Sequence, residues 1–258
     1  MAASLIPPAS EGRLHPRITA QLALRVIESD RQGRIVAFPR EAELCEQLGV
    51  SRSILRESMK VLVDKGMVEM KPKAGTRSKP RSQWRRLDSD ILGWQASLAP
   101  DPQFIRDLCE VRLAIEPTAA GFAAVRATDA ELAAIESCLA QRREAADLPY
   151  PATLIDLDMA FQSAVVGAAH NDLLTHLCAS IRGPFRVALS MTSTLPSSVR
   201  LGLEAHEVLV KSLRTHDPMG ARRAAEDVVG LAMLAVESGL RRLERQRKPE
   251  RQGRKDKR

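Results

Sequence analysis

FPREAELCEQLGVSRSILRESMKVLVDKGMVEMKPKAGT, residues 38–76, is the stretch from which the fold is read. Pro39 suits a helix start, and Glu41 and Glu43 in the turn after it complement the helix dipole. Gly49 is a natural left-handed stop, and Ser51 can cap a second helix over residues 52 to about 65. On that helix Ile54, Leu55, Ser58 and Leu62 share one face, while Arg52, Ser53, Arg56 and Lys60 share the other. Gly66 ends it. Residues 67–70 then alternate like a short strand, residues 71–77 form a turn rich in Lys and Gly, and another strand is expected beyond. Short helix, tight turn, helix and strand–turn–strand make a winged helix-turn-helix.

The chemistry of such a helix follows from its N-terminal side chains. An arginine donates two bonds to guanine O6 and N7 in the major groove, and hydroxyls beside a helix N-terminus hold phosphates. Ser51, Arg52, Ser53 and Arg56 supply that set, Lys60 extends it, and Lys71, Lys73 and Arg77 on the wing are placed for the DNA backbone or minor groove. The spacing alone also allows an ordinary amphipathic helix with a solvated basic face. Charge is unevenly distributed. Residues 1–86 hold 17 Lys+Arg against 9 Asp+Glu, residues 87–240 hold 12 against 20, and residues 241–258 hold 10 against 3. A basic front segment is what a phosphate-backbone binder needs, although a solvated surface would carry the same excess.

Outward from the core stretch, residues 1–16 are rich in Pro, Ser and Ala and are expected to be disordered. Residues 17–29 read as a helix with Ile18, Leu22 and Val26 on one face. Together residues 17–79 make the first domain. Residues 80–101 form a connector whose Trp84, Leu87, Ile91, Leu92 and Trp94 are too apolar for a free linker, so it should pack between domains. Residues 102–243 are helix-periodic, broken near 128–129, 148–151, 170–171, 195–198 and 216–218 into about six helices with no strand alternation. The tail, 244–258, is so charged that disorder is expected. The fold class is therefore mainly α: a winged helix-turn-helix with a short β wing, then an antiparallel all-α bundle.

Aromatics are only 3% of the 258 residues, so Ala, Leu and Val fill the core. The four cysteines are widely spaced singletons with no CxxC pair, which fits a reducing compartment. The N-terminus lacks a cationic segment followed by a long apolar run, and no stretch approaches the roughly 18 apolar residues of a membrane span. A cytoplasmic protein with no membrane partner is expected.

In order and spacing, residues 38–76 resemble the winged-helix signature of the GntR family of bacterial regulators: LP-x-E-x-x-L, LGVSR-x-x-(V/L)RE, L-x-x-x-G-(L/M)V and a Gly-bearing wing. The resemblance implies that Arg52 and Arg56 read or clamp DNA, with Ser51 and Ser53 beside them and Gly75 at the wing tip. Two departures stand out. Many relatives carry Arg where this chain has Ala42, and Ile35 replaces a common Gly.

About residues 100–243 resemble the FCD domain of the FadR-like subfamily, on Glu110-Val-Arg112-x-x-x-Glu116-Pro, Asp158-x-x-Phe161-Gln162, His170-Asn171, Glu204-x-His206 and Asp217-x-x-x-Ala221-Arg222. Many such domains hold a divalent metal, zinc or similar, on one Asp and three His, and the metal helps grip a carboxylate ligand. By that matching Asp158 and His206 survive as ligands, the i+4 position is Gln162, and the last His position is Val228. An incomplete metal site and a metal-free pocket, in which Asp158 and His206 bond each other or the ligand, both remain open. Arg112 reads either as an i, i+4 pair with Glu116 or as a buried guanidinium clamping a carboxylate. Arg182 and Arg186 are candidates for a second clamp. His170 and His216 read as helix-end residues.

The implied function is a sequence-specific DNA-binding transcription regulator, a homodimer on a pseudo-palindromic operator, released by a small carboxylate effector. The stretches 41–47 and 81–95 also resemble the branch that responds to sugar acids, galactonate regulators in particular; other hydroxy or dicarboxylic acids come next. No GxSxG, HExxH or Gly-rich phosphate loop marks an enzyme. A nonspecific architectural DNA-binding protein is the remaining rival, suggested by the basic tail.

Overall fold

The computed structural model describes residues 14–71, 75–98, 101–145, 151–192 and 196–252. Residues 1–13 of the expected disordered N-terminus, Lys73 at the wing turn and the last six residues of the tail lie outside the described residues. The chain divides into two compact units, Met1–Leu98 and Ala99–Arg258.

The first unit contains α1 (Leu14–Arg31), β1 (Ala37–Phe38), α2 (Glu41–Leu48), α3 (Arg52–Asp64), β2 (Val68–Lys71), β3 (Gly75–Ser78), a single 3-10 turn (Arg81–Gln83) and α4 (Ser89–Ser97). The strands form an antiparallel sheet of order β1-β3-β2, with Val68 opposite Ser78, Met70 opposite Thr76, and Phe38 also opposite Thr76 from the other edge. Its core is the apolar stripe of α1 (Ile18, Leu22, Val26, Ile27) packed on Leu44, Leu55, Leu62, Met67 and Val68. Pro39 lies just before the Arg40 cap of α2 rather than inside its first turn. Gly49 stops α2 at φ 65°, and the Val50 amide donates back to the Cys45 carbonyl at 3.1 Å.

The connector departs from expectation. Trp84 and Ile91 join the core of the first unit, and the Trp84 indole donates to the Lys79 carbonyl at 2.9 Å. Lys65, at the end of α3, reaches both carboxyl oxygens of Asp88, the α4 cap, at 2.7 Å each, and Asp90 at 2.8 Å. Residues 80–98 are thus part of this unit, and Leu87, expected to pack, is 61% exposed. Trp84 and Ile91 thus help to close the core of a small domain.

Among the described residues the second unit holds six helices: α5 (Pro102–Arg126), α6 (Asp129–Ala145), α7 (Pro151–Gly167), α8 (Asp172–Thr192), α9 (Pro196–Arg214) and α10 (Pro218–Gln252). α10 packs along α5 and α9, and α7 packs between α6 and α8. Ala120, Ala123, Ala124, Ala221, Ala224 and Ala225 let backbones approach closely, while Phe161, Leu209 and Leu213 fill the space around them. His170 and His216 adopt φ 47° and 49° at helix junctions. His216 Nδ1 bonds the Ala124 carbonyl at 2.9 Å, and Asp217 caps α10 through the Met219 and Gly220 amides. α10 continues to Gln252, through more than half of the segment expected to be disordered. Glu, Arg, Gln and Lys are good helix formers, and extending an existing helix is far easier than starting one.

Candidate functional site

At the N-terminus of α3, Ser51 accepts the Ile54 amide at 3.4 Å, and its hydroxyl lies 2.9 Å from that of Ser53. Capping holds the first turn, so Arg52 and Arg56 leave the same end of the helix, their side chains 71% and 65% exposed. Lys60 is exposed one turn further on. Arg56 Nε donates to Glu41 Oε2 at 3.0 Å, and Arg52 Nε lies 4.0 Å from Glu41 Oε1. The hydrogen bond from Arg56 and the nearby Glu41 charge raise the Arg56 pKa. Glu41 read from the sequence as a dipole complement only; its tie to α3 is fifteen residues away and leaves no local pattern. Ala42 is exposed, with no guanidinium to add. On the wing, Gly75 opens β3 at φ 80°, and Glu69 pairs with both Arg77 and Lys71. Those hydrogen bonds lower the Glu69 pKa.

The second unit has a cleft of about 490 Å³, mouth included, between α5, α7 and α8. Its polar lining is Arg112, Glu116, Gln162, Ser163, Thr175 and Arg182, on a wall of Met159, Val166, Ile181 and Phe185. Arg112 is buried and doubly bonded to Glu116, Nε to Oε1 at 2.5 Å and Nη2 to Oε2 at 3.0 Å. Its guanidinium stacks on the Phe185 ring, 3.9 Å from the centroid. Arg112 therefore joins both sequence readings, an i, i+4 pair that is also a buried cation. Burial works against its charge, but Glu116 more than offsets this and raises its pKa. On the residues lining the cleft, Arg112 Nη1 and Gln162 Nε2 are buried without partners. Arg182 Nη1 donates to Ser163 Oγ at 2.7 Å. Arg186, one turn on, does not line the cleft: it forms a two-bond pair with Asp156 at the surface. Cys178 is in the cleft wall, its thiol pushed up to about 11 by burial.

Asp158 and His206 do not line that cleft either. They meet in a closed cluster with Arg142 of α6, whose Nη1 donates to Asp158 Oδ1. His206 Nε2 is 3.2 Å from the same oxygen without the alignment of a hydrogen bond, and its Nδ1 donates to the Gly202 carbonyl. The Phe161 ring packs edge-on to the imidazole, centroids 4.6 Å apart. Burial alone would raise the Asp158 carboxyl, but His206, Arg142 and Arg112 hold it well below the usual carboxylate range. Sequence reasoning missed Arg142. The signal was present: Leu132, Ile135, Leu139 and Arg142 fall on one buried stripe of α6, where a solvated arginine has no place.

The metal suggested by resemblance does not fit this donor set. Asp158 already carries a guanidinium on Oδ1, Gln162 is a weak donor, Val228 is none, and among the described residues no three His, Cys, Asp or Glu side chains gather as a cation cage.

Residues 34–77 match the bacterial regulatory proteins of the gntR family, and residues 107–230 match the FCD domain. The galactonate operon transcriptional repressor of Escherichia coli K12 is 36% identical over 217 residues, spanning 80% of this chain and 86% of that protein. The chain belongs to the GntR family. The Glc operon transcriptional activator of E. coli K12 is 30% identical, over 74% of this GntR regulator and 77% of its own length. A solved structure of Lar, titled as controlling the Listeria monocytogenes agr system, shares the fold at TM-score 0.60, with 15% identity over 92% of this chain and 99% of that one. This GntR regulator is thus a DNA-binding transcription regulator with an FCD domain, not an enzyme. Among the described residues no helix is long and apolar enough to cross a membrane.

Proposed function

We propose that this regulator is a repressor released from its operator by a small carboxylate, a sugar acid above all, bound in the cleft between α5, α7 and α8. The observation behind this is the pair of buried donors without partners, Arg112 Nη1 and Gln162 Nε2, on residues that line the cleft. A carboxylate satisfies a buried guanidinium better than water does, and Ser163, Thr175, Glu116 and Arg182 offer partners for hydroxyls. The polar groups of this lining suit a short polyhydroxy acid, not a long acyl chain. The named function of the E. coli galactonate repressor agrees.

On the DNA side, Arg52 and Arg56 contact base edges, Ser51, Ser53 and Lys60 the adjoining phosphates, and Lys73 and the wing around Gly75 the neighbouring backbone. A homodimer presents two such helices to a pseudo-palindromic operator. Effector binding releases DNA only by favouring the non-binding state. A second reading, a dicarboxylic acid, is favoured by Arg112 and Arg182 facing one cleft.

The test is a melting-temperature screen against D-galactonate, other sugar acids and dicarboxylates, followed by operator release in a gel-shift assay. Stabilisation grows with the logarithm of ligand concentration over Kd. Arg52→Ala is expected to lose operator binding and keep effector stabilisation. If no acid moves the melting temperature, the effector reading fails; if random DNA competes as well as the operator, the protein is a nonspecific binder.

A further inference from the structure

We propose that the Arg142 guanidinium is the resident cation of the helical domain, neutralising Asp158 in the place where a divalent metal ion would otherwise stand between α6, α7 and α9. Three helices converge on one carboxylate oxygen. Arg142 comes from α6, Asp158 from α7 and His206 from α9, and both Arg142 Nη1 and His206 Nε2 face Asp158 Oδ1. A carboxylate this enclosed needs a positive partner, because leaving it unpaired costs several kcal/mol. Arg142 supplies a positive charge in direct contact with that carboxylate. Glu116, a buried acid of α5, has its own guanidinium in Arg112. A divalent ion on Asp158 would add two positive charges beside a cation already in contact.

The surrounding residues are shaped for the guanidinium. Gly202 leaves room for it: a Cβ there would lie 3.1 Å from Arg142 Nη2. The carbonyl of the same glycine takes the proton of His206 Nδ1, which fixes the ring with Nε2 toward Asp158. Phe161 closes the cluster. Arg142 Nε is buried without a partner, so the group is held by its pairing at one end and by packing along its length. Arg142 also occupies the apolar stripe of α6, a costly position that pairing with Asp158 explains.

The inference is independent of which acid binds in the cleft, since it concerns charge balance beside it. It is tested on the full-length protein by elemental analysis, by titration with Zn²⁺ and Mn²⁺, and by melting with and without chelator. The expected result is less than about 0.1 metal ion per chain and an unmoved melting temperature. About one ion per chain, removable by chelator with a fall in melting temperature, would overturn the proposal. Arg142→Gln, similar in size but neutral, is expected to melt several degrees lower, whereas Arg142→Lys keeps most of the stability; a Gln variant that melts with the wild type also overturns it. Finally, Arg142→Gln combined with Gln162→His frees Asp158 and sets a second imidazole one turn from it. That double variant is expected to gain stabilisation by Zn²⁺ that Gln162→His alone does not show. Equal Zn²⁺ responses in the two would mean that Arg142 does not hold the cation position. Failure of every sugar acid to bind would leave all these outcomes unchanged.

Discussion

Glu41 Oε2 accepts from Arg56 Nε at 3.0 Å, tying the first helix of the helix-turn-helix to the second across the Gly49 turn. The pair is solvent-exposed, so it adds little to stability. Its effect is on orientation: a guanidinium held by Nε still has its far nitrogens free for a base edge. Glu41→Ala is expected to leave the melting temperature within about a degree of wild type. Operator affinity should fall roughly three- to tenfold, with less discrimination against mismatched sites, as measured by fluorescence anisotropy on matched and mutated duplexes. Arg56→Ala should lose more, roughly ten- to a hundredfold. An affinity unchanged by Glu41→Ala would assign the pair to the surface alone.

Arg112 and Glu116 form a pair whose two halves should respond differently. Arg112→Ala strands a buried carboxylate, a loss of about 3–5 kcal/mol by analogy with other broken buried pairs. Replacing both, Arg112→Met with Glu116→Leu, removes both charges and should recover most of that stability. Neither variant is expected to respond to the inducer. Chemical denaturation gives the first comparison and operator release the second; a doubly substituted protein that still releases DNA would move the effector away from Arg112.

Glu131 is the acid whose titration should be visible. It closes a capping box at the start of α6, where the Thr128 amide and hydroxyl both donate to Oε2 at 2.8 Å and the Glu131 amide donates to Thr128 Oγ1 at 3.3 Å. The Thr128 amide first, then His170 and the Thr128 hydroxyl, lower its carboxyl from 4.5 to about 2. A depressed carboxylate pKa contributes stability that is whole above the unfolded value and is lost as pH falls. The contribution should thus be complete above about pH 5 and fade toward pH 2. Glu131→Gln should melt below wild type at neutral pH, and the two curves should converge in acid. A constant gap down to pH 2 would count against the cap.

How much of this was legible in the sequence depends on how local each signal is. The cap at Ser51, the stop at Gly49, the faces of α3 and the five breaks between the bundle helices are written within a few residues of where they act. The cap, the stop, the faces and the breaks near 128–129, 170–171 and 216–218 appear where expected, while those near 148–151 and 195–198 involve residues outside the described ones. Arg142 with Asp158 and Glu41 with Arg56 are pairs across sixteen and fifteen residues, on different helices, and no short-range spacing encodes them. Arg182 and Arg186 looked equivalent because both lie one turn apart on α8; Asp156 of α7 separates them by capturing Arg186 at the surface. Trp84 and Ile91 were read as buried, and both lie in the core of the first unit. Gln252 ends a helix in a segment too charged to pack, where propensity and continuation from α10 prevail over the absence of a core.

Gly66 is the backbone position where substitution should do most harm. It joins α3 to β2 at φ 75°, a region that L side chains enter at a cost of roughly 1–2 kcal/mol. A Cβ there would also stand 2.4 Å from the Gln83 carbonyl oxygen, a backbone atom held by the 3-10 turn before Trp84. Relief requires moving that turn, and with it Trp84, out of the core of the first unit. Gly49→Ala is the control: its φ of 65° imposes similar strain, but nothing lies within 4 Å of the added carbon. Gly66→Ala should therefore lower the melting of residues 14–98 well beyond Gly49→Ala and weaken operator binding, while stabilisation by an effector in the helical domain persists. Differential scanning calorimetry of both variants, with and without inducer, would reveal the order; equal destabilisation would mean that strain alone, not the Gln83 contact, makes Gly66 necessary.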